Sequence, residues 1–330
     1  MTNVAVIGTG HYAPPRVVTN DELTQWMDTS DAWIRERSGI ERRHWIEPGT
    51  SLDDLALAAS RMALDDAGIP ADALDLIIFA TINSDCAFPG NGVLLQHSLG
   101  VPTIGALDVR NQCTGFIYGL TTAAAYIKAG MARTVLVVGA EIQSTALDLS
   151  TRGRDIAVLF GDGAGAAILQ ATDTDSDLLA SCLHSQGEFY DQLWCEMPTC
   201  KIPGRITPEI IAEGRHFPKM NGRAVFKHAV TRFSEAIEEV LAQAGVTIDD
   251  VDLVIPHQAN RRITEMVAHR FKLPPEKVVS NIEEYGNTTA ASIPIALSEA
   301  VRAGRVRRGD LVLLVAFGSG FTWGADLLRW

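Results

Sequence analysis

The sequence predicts an α/β protein made of two similar halves, and three observations lead to this fold class. Apolar, strand-like segments alternate with helix-like segments along the chain, as in layered α/β folds. Residues 64–83 align without gaps on residues 241–260, which indicates an internal duplication. The chain has 330 residues and 47% apolar content, enough for one large core or two fused ones. We therefore predict an N-terminal half over residues 1–172 and a C-terminal half over residues 173–330.

The two copies of the repeat predict the same order of elements. A helix ends at Gly68 in the first copy and at Gly245 in the second, because glycine is favoured where a helix terminates. A short loop and an apolar strand follow in each copy. A second pair of apolar segments, 134–139 and 310–316, predicts strands that are buried on both faces.

Charge and cysteine content narrow the class of protein. The formal net charge of −12 argues against a nucleic-acid partner, because phosphate backbones require basic surfaces. No run approaches the roughly 18 apolar residues of a membrane span, and the N-terminus has no basic segment followed by an apolar block. The 5 cysteines are spaced irregularly, which predicts neither a disulfide framework nor a metal site. These features predict a cytoplasmic protein without a membrane partner or a bound metal.

Cys113 is the strongest candidate for a nucleophile. A strand-like stretch over residues 103–109 precedes it, and small and apolar residues at helical spacing follow over residues 115–126. The thiol is therefore expected where a strand turns into a helix, and a helix N-terminus favours the thiolate. Thiolates are the nucleophiles of acyl transfer. The alternative is a buried structural cysteine at the start of a core helix.

Two polar clusters more than a hundred residues downstream complete a candidate site. An apolar strand ends in Pro256, His257 and Gln258, and Asn287 opens a stretch of small residues that leads into a helix. Strand ends and loops are where a rigid scaffold presents side chains to ligands. Each residue also has a structural interpretation, as a hydrogen-bonded histidine and as a turn asparagine. Cys, His and Asn together form a candidate nucleophilic site.

The order and spacing of several motifs carry a resemblance to a known family. The motifs are Gly8-Thr-Gly10, residues 28–34, 37–41 and 87–89, the Cys113 motif, Arg152 with residues 160–165, and residues 256–260, 286–292 and 316–324. The sequence resembles the β-ketoacyl-acyl-carrier-protein synthase III family of the thiolase superfamily over nearly the whole chain. The resemblance implies the duplicated, five-layered αβαβα thiolase-like fold, with the active site where the halves meet.

The resemblance also implies a reaction. Cys113 would take an acyl group from acyl-CoA, and malonyl-acyl carrier protein would lose CO2 and attack this thioester, which initiates fatty acid synthesis. His257 and Asn287 would stabilise the enolate, and the backbone N–H groups of Cys113 and Ser319 would form the oxyanion hole. Acyl-CoA is a substrate here, and no cofactor is expected. The alternative is a related condensing enzyme of secondary metabolism, or one with a longer acyl-CoA primer or a different extender.

The resemblance assigns further residues to substrate binding. Five residues match CoA-binding positions: Thr29, Trp33, Arg37, Arg152 and Asn260. Among them, Trp33 and Arg152 match the aromatic and guanidinium pair that sandwiches the adenine. Taken alone, Trp33 has an alternative role as a helix-packing aromatic.

Other positions match sites of protein contact. Phe88 and Phe317 match the acyl pocket and its dimer contact, which implies a homodimer. The basic positions that dock the acidic carrier protein are matched by Lys227 and Arg262. Arg270 lies in the same basic cluster as Arg262 and is assigned to docking with them. The basic residues that follow His257 also fit the solvated face of a helix.

Three features depart from the family pattern. Asn111 and Gln112 precede Cys113 where small residues are common, and Ser319 replaces a usual glycine. Residues 188–222 form a longer connection than usual, which predicts either a lid or wall of a roomier acyl tunnel or a surface loop with buried anchors. We hypothesise that the chain accepts primers longer than acetyl.

Rival functions remain at this stage. A degradative thiolase needs a second cysteine near the C-terminus, and residues 316–324 contain none. A non-catalytic acyl-CoA-binding subunit is expected to have lost Cys, His or Asn. A cysteine hydrolase would use the same three residue types, but it would hydrolyse thioesters without a malonyl extender.

Overall fold

The structure is a computed structural model that describes residues 2–330. Its strands are β1 (Asn3–Tyr12), β2 (Arg16–Thr19), β3 (Arg42–Trp45), β4 (Leu76–Ala80), β5 (Gly105–Val109), β6 (Thr134–Glu141), β7 (Gly163–Thr172), β8 (Asp177–Ser185), β9 (Leu193–Trp194), β10 (Lys219–Met220), β11 (Leu253–Pro256), β12 (Leu311–Gly318) and β13 (Thr322–Arg329). Its α-helices are α1 (Asn20–Leu23), α2 (Asp31–Ser38), α3 (Leu52–Ala67), α4 (Asn91–Ser98), α5 (Gly115–Lys128), α6 (Arg154–Ala157), α7 (Pro208–Ala212), α8 (Gly222–Ala244), α9 (Arg261–Arg270), α10 (Ile282–Tyr285) and α11 (Ser292–Arg302).

Two mixed sheets form the framework of the molecule. The first has the strand order β1-β7-β6-β4-β5, and the second has the order β11-β12-β13-β8. Strand β4 pairs in parallel with β5 and β6, and β11 pairs in parallel with β12. The other neighbours within these two sheets are antiparallel. The first sheet contains only strands that precede residue 173. The division of the chain into halves between residues 172 and 173 stays a prediction.

The internal repeat appears in the order of the strands. Strands β1, β7, β6 and β4 occupy the same successive places in the first sheet as β8, β13, β12 and β11 in the second. The fifth strand has a counterpart that is reduced to one parallel bridge, between Val254 and Val278. Both repeat helices end at a left-handed glycine, with φ of 67° at Gly68 and 69° at Gly245. Each glycine stands where a side chain would be strained.

Helices fill the space between and outside the sheets. Helix α3 packs on the outer face of the first sheet and α8 on the outer face of the second, while α5 contacts strands of both sheets. The central layer places Phe116, Leu120 and Leu297 in a core where each is fully buried. Each such side chain contributes about 1.5–3 kcal/mol by leaving water. This central layer carries the start of α5 to the middle of the molecule.

The sequence-based elements around Cys113 agree with the structure in type. The strand predicted over residues 103–109 begins two residues later, at Gly105, and the helix begins at Gly115 as predicted. Residues 188–222 have features of both predicted interpretations, a wall and a surface loop with buried anchors. They hold the short β9–β10 ribbon and α7, with Met197 and Ile210 buried as anchors. None of the helices in residues 2–330 has the length and apolar content that a membrane crossing requires.

Candidate active site

A cavity of about 530 Å³ brings together residues from both halves. The catalytic candidates Cys113, His257 and Asn287 all line it. Further predicted site residues on its walls are Trp33, Arg37, Asn260, Arg262 and Phe317. The predicted residues Thr29, Phe88, Arg152, Lys227, Arg270 and Ser319 are not among its lining residues.

Cys113 lies in a single turn of 3-10 helix, Gln112–Thr114, between β5 and the start of α5. Gln112 has a φ of 45°, a left-handed conformation that is strained for a residue other than glycine. The backbone at Gly318 packs closely against the cysteine. A Cβ at position 318 would lie 2.8 Å from the Cβ of Cys113, so a glycine is required there. The thiol is thus held where β5, α5 and β12 meet.

The Cys113 thiol is protonated at neutral pH in this structure. Burial, followed by the nearby carboxyl group of Glu141, raises the pKa of Cys113 to about 12 from a usual value of 9.0. Such a shift corresponds to about 4 kcal/mol against the thiolate, whereas a helix terminus typically contributes about 0.3–1 kcal/mol. The effect expected from the start of α5 is thus smaller than the opposing effect of burial, so the helix terminus alone does not produce a thiolate.

His257 is neutral and oriented by a serine. Only 2% of its surface is exposed, and burial lowers its pKa to about 3. Its Nδ1 lies 2.6 Å from the Oγ of Ser292, which also accepts the Gln258 N–H at 3.0 Å. The Ser292 hydroxyl has a second lone pair as well as its own hydrogen, so it can either donate to Nδ1 or accept from it. Donation to Nδ1 places the ring hydrogen on Nε2, a buried atom without a protein partner among the described residues.

Asn287 is fixed on both its backbone and its side chain. Its N–H donates to the Leu159 carbonyl at 2.8 Å, and its carbonyl accepts the Gly161 N–H at 3.1 Å. The side-chain oxygen Oδ1 accepts the Thr289 N–H at 2.9 Å. Because the acceptor end of the amide is occupied, the Nδ2 group remains as the hydrogen-bond donor. Asn287 therefore offers an N–H donor beside the cavity, and His257 offers a second one in the tautomer with its hydrogen on Nε2.

Ser319 connects the loop after β12 to the connection 188–222. Its hydroxyl donates a hydrogen bond to the carbonyl of Leu193. The side chains of Leu193 and Met220, which pair in the β9–β10 ribbon, line the cavity. Gln186 and Phe321 fasten the same region through two backbone hydrogen bonds of 2.8 and 3.0 Å. The longer connection thus supplies a wall of the cavity, as one of its two interpretations predicted.

At the mouth of the cavity, the arginines that lie over the Trp33 ring are not its predicted partner Arg152. Arg37 and Arg154 lie over the Trp33 ring, with Cζ atoms 4.5 and 4.9 Å from its centroid. Arg152 instead bonds Asp148 at 2.6 Å and lies 5.9 Å from the Phe217 ring. Trp33 and Arg152 thus make no direct contact in this structure, and a sandwich around an adenine does not require one. The Asp148 carboxylate orients Arg152.

Thr29 lies on the segment that leads into α2, outside the cavity. Its side-chain oxygen is buried and makes no hydrogen bond among the described residues. The structure gives this threonine no contact that identifies a ligand.

The predicted docking residues occupy different settings. Arg262 reaches the cavity wall with its guanidinium 5.8 Å from the Phe226 ring, and Lys227 is exposed on α8. Arg270 is paired with Glu238 at 2.8 Å, so part of its charge is compensated within the protein. Phe88 lies on a loop apart from this cavity, with 80% of its surface exposed.

Comparison with known proteins connects this geometry to a family. Models described as 3-oxoacyl-[acyl-carrier-protein] synthase III and as its C-terminal part match residues 107–187 and 241–330. A β-ketoacyl-[acyl-carrier-protein] synthase III of Rhodospirillum centenum is 46% identical, over 98% of each chain. The chain belongs to the β-ketoacyl-[acyl-carrier-protein] synthase III family. This synthase III is therefore a condensing enzyme of the acyltransferase type that acts in fatty acid synthesis.

Solved structures confirm the thiolase-like fold of this synthase III. The 3-oxoacyl-[acyl-carrier-protein] synthase III of Aquifex aeolicus VF5 matches with a TM-score of 0.91 and 43% identity, covering 99% of this chain and 100% of that one. A priming β-ketosynthase of the R1128 polyketide pathway matches with the same TM-score of 0.91 at 34% identity, over 99% and 96% of the two chains. The fold is thus shared by relatives whose names assign them to two kinds of pathway.

Sequence reasoning missed several residues of the synthase III site. Ser292 stood at the end of a quoted motif, but its contact with His257 spans 35 positions and has no local signature. Arg154 and Arg223 were passed over, although both lie at the mouth of the cavity. Glu141 ends an apolar strand without any further signal, and Leu193 is one apolar residue in an irregular segment.

Proposed function

We propose that this synthase III condenses an acyl-CoA primer with malonyl-acyl carrier protein through an acyl-enzyme on Cys113. One observation carries the proposal: Cys113, His257 and Asn287, which are far apart in sequence, line a single cavity. A structural cysteine would not need two fixed N–H donors beside it. The reaction needs acyl-CoA as a substrate and no other cofactor.

The first half-reaction loads the primer. The Sγ atom of Cys113 attacks the thioester carbonyl, the bond to the CoA sulfur breaks, and the thiol proton ends on that sulfur. Because burial raises the pKa of the thiol, negative charge develops only as attack proceeds. The backbone N–H groups of Cys113 and Ser319 stabilise the oxyanion, each contributing about 3 kcal/mol.

The second half-reaction forms the carbon–carbon bond. Malonyl-acyl carrier protein loses CO2, and the resulting carbanion attacks the carbonyl carbon of the Cys113 thioester. The bond to Sγ breaks, the β-ketoacyl product leaves on the carrier protein, and a proton from solvent restores the Cys113 thiol. Negative charge develops on the carbonyl oxygen of the malonyl thioester, and Nε2–H of His257 and Nδ2–H of Asn287 donate to it. A neutral imidazole suits this role, and burial keeps His257 neutral. Its lowered pKa also makes it a weak proton acceptor for the Cys113 thiol.

The mouth of the cavity suits the nucleotide of CoA. Trp33 offers a ring for stacking, and Arg37 and Arg154 bring two guanidinium groups beside it. Asn260 lines the path between this mouth and Cys113. Thr29 and Arg152 keep their proposed contacts with CoA, and Arg152 would have to leave Asp148 to reach the adenine.

The protein surfaces support two partners. Arg262 and Lys227, with Arg270 farther along α9, would attract an acidic carrier protein to the cavity. Strand β5 is an open edge of the first sheet, and the exposed Phe88 lies two residues before Gly90, which packs against Asp108 of β5. Open edges are usually covered by pairing. We therefore propose a homodimer in which Phe88 reaches the partner's acyl pocket beside Phe317, and we place the enzyme in the cytoplasm.

The proposal is tested by separating the two half-reactions. Acyl transfer from acyl-CoA and product formation on malonyl-acyl carrier protein are followed by mass spectrometry for wild type, His257→Ala and Asn287→Ala. Both variants should load the primer but lose condensation by roughly 100-fold or more. His269→Ala, on the exposed part of α9, is the control and should behave like wild type. Loaded wild-type enzyme that hydrolyses its acyl group without condensing would instead indicate a hydrolase.

A condensing enzyme that primes a polyketide is the second candidate. It is favoured by the match to the R1128 priming β-ketosynthase, although identity is lower there than with the fatty acid synthesis relatives. The same residues would perform both half-reactions. Carrier proteins of the two pathway types, offered in competition as malonyl thioesters, distinguish the candidates by the product that accumulates.

A further inference from the structure

A cluster of three potential metal ligands lies outside the active-site cavity. Cys182 and His184 stand on β8, and Glu239 stands on α8, which packs on the outer face of the second sheet. Their ligand atoms all lie within 4.8 Å of one another. The proposed acyl transfer uses none of these residues.

Local geometry explains why the three side chains converge. Residues two apart on a strand project to the same face, so Cys182 and His184 both face α8. The Nε2 atom of His184 lies 2.6 Å from Oε2 of Glu239, across 55 positions of sequence. The Gln243 amide donates to the other carboxylate oxygen at 3.2 Å, which orients the glutamate from outside the cluster.

One side of the cluster is buried and the other is open to solvent, as a site that takes up an ion requires. Cys182 is buried, whereas the side chains of His184 and Glu239 are 39% and 40% exposed. A cation can therefore approach from solvent and meet the thiol at the closed end.

We propose that Cys182, His184 and Glu239 bind Zn²⁺, or a similar borderline-soft divalent cation, with water as a fourth ligand. One sulfur, one imidazole nitrogen and one carboxylate oxygen form a ligand set that suits zinc. Binding of the ion releases the thiol proton of Cys182. The bound ion would tie β8 to α8. The sequence predicted no metal site because the third ligand follows the first two by more than fifty residues, without a zinc-type spacing.

Cobalt titration of the full chain tests this site. The background carries Cys113→Ala, Cys195→Ser and Cys200→Ser, so Cys86 and Cys182 are the remaining thiols. Co²⁺ should produce a thiolate-to-cobalt charge-transfer band that saturates at one equivalent and that Zn²⁺ removes. Cys182→Ala should abolish the band. Glu239→Gln should weaken binding at least about tenfold, and Gln243→Ala about tenfold.

The matched control is Glu238→Gln, the adjacent residue on α8, which pairs with Arg270 and should leave cobalt binding unchanged. Zn²⁺ should also raise the Tm of the background protein but not that of Cys182→Ala. Should Cys182→Ala fold poorly, the half-exposed Glu239→Gln carries the test. The proposal is overturned if millimolar Co²⁺ gives no charge-transfer band, if the band survives in Cys182→Ala, or if Glu238→Gln and Glu239→Gln weaken binding equally.

Discussion

Ser292 holds the active-site imidazole, since its Oγ lies 2.6 Å from Nδ1 of His257 and also accepts the Gln258 N–H. The serine stands at the start of α11, and the histidine follows β11. The hydroxyl lies between a backbone N–H and the ring, and its donation to Nδ1 would keep the ring hydrogen on Nε2.

Ser292→Ala should impair condensation more than primer loading. Without the hydroxyl, the neutral ring can exchange tautomers and tilt, and condensation should fall roughly 10- to 100-fold. Loading of Cys113 by acyl-CoA should stay within about threefold of wild type, because the oxyanion donors are unchanged. Rapid-quench measurement of each half-reaction checks this. Ser280→Ala, near Glu283 at the surface, is the control. Equal loss in both half-reactions would show that Ser292 has only a structural role.

Ser319→Ala should change the preference for primer length. The substitution keeps the backbone N–H but removes the hydrogen bond to the Leu193 carbonyl, so the β9–β10 wall loses one of its attachments. We expect kcat/KM for octanoyl-CoA to rise severalfold relative to that for acetyl-CoA, and Leu193→Ala should act in the same direction. A double-mutant cycle should give less than the sum of the two effects. An unchanged ratio in both single variants would contradict this role for the wall.

Substitution of each arginine at the cavity mouth should show, through KM for acyl-CoA, which of them binds CoA. Arg37→Gln and Arg154→Gln each remove a guanidinium beside Trp33 and should raise KM for acyl-CoA about tenfold, an effect of about 1.4 kcal/mol. KM for malonyl-acyl carrier protein should change little. Arg152→Gln provides the comparison, since Arg152 is bound to Asp148 in this structure. A tenfold effect of Arg152→Gln alone would instead support the pairing of Arg152 with Trp33.

Asp326 should make stability depend on pH. It is fully buried, bonds Ser181 at 2.6 Å and Thr121 at 3.0 Å, and burial raises its pKa to about 7. The unfolded chain loses this proton near pH 4, so stability falls as pH rises from about 4 to 7 and stays low above that. Asp326→Asn should remove this dependence and raise the free energy of unfolding at pH 8 by on the order of 3 kcal/mol.

Denaturant titration of wild type and Asp326→Asn at pH 5 and pH 8 measures the difference. The gain should be clearly larger at pH 8 than at pH 5. A gain that is equal at the two values would contradict the raised pKa of Asp326.

Local patterns in the sequence predicted most of the fold. The helix ends at Gly68 and Gly245, and the strands that follow them, come from one repeated pattern of glycine and apolar residues. Cys113 was placed between strand and helix because its neighbours change period there. The local pattern shows the helix terminus that favours its thiolate, but it does not show the burial by distant residues that raises the pKa of Cys113.

Contacts across long sequence distances were beyond prediction. The bond from Ser319 to Leu193 joins the last strands to an irregular connection whose residues have no period. Arg154 lies over Trp33 while Arg152 bonds Asp148, and sequence spacing does not show which arginine takes which partner. The meeting of Cys182 and His184 with Glu239 depends on how α8 packs on the second sheet.

The formation of an acyl-enzyme on Cys113 is the central claim, and intact-protein mass spectrometry tests it most directly. Wild type and Cys113→Ala are mixed with acetyl-, butyryl-, octanoyl- and malonyl-CoA. We predict a gain of one acyl group on wild type that is absent from the variant, with the best-loaded chain identifying the primer. Absence of loading from every CoA thioester, or equal loading of Cys113→Ala, would contradict the account.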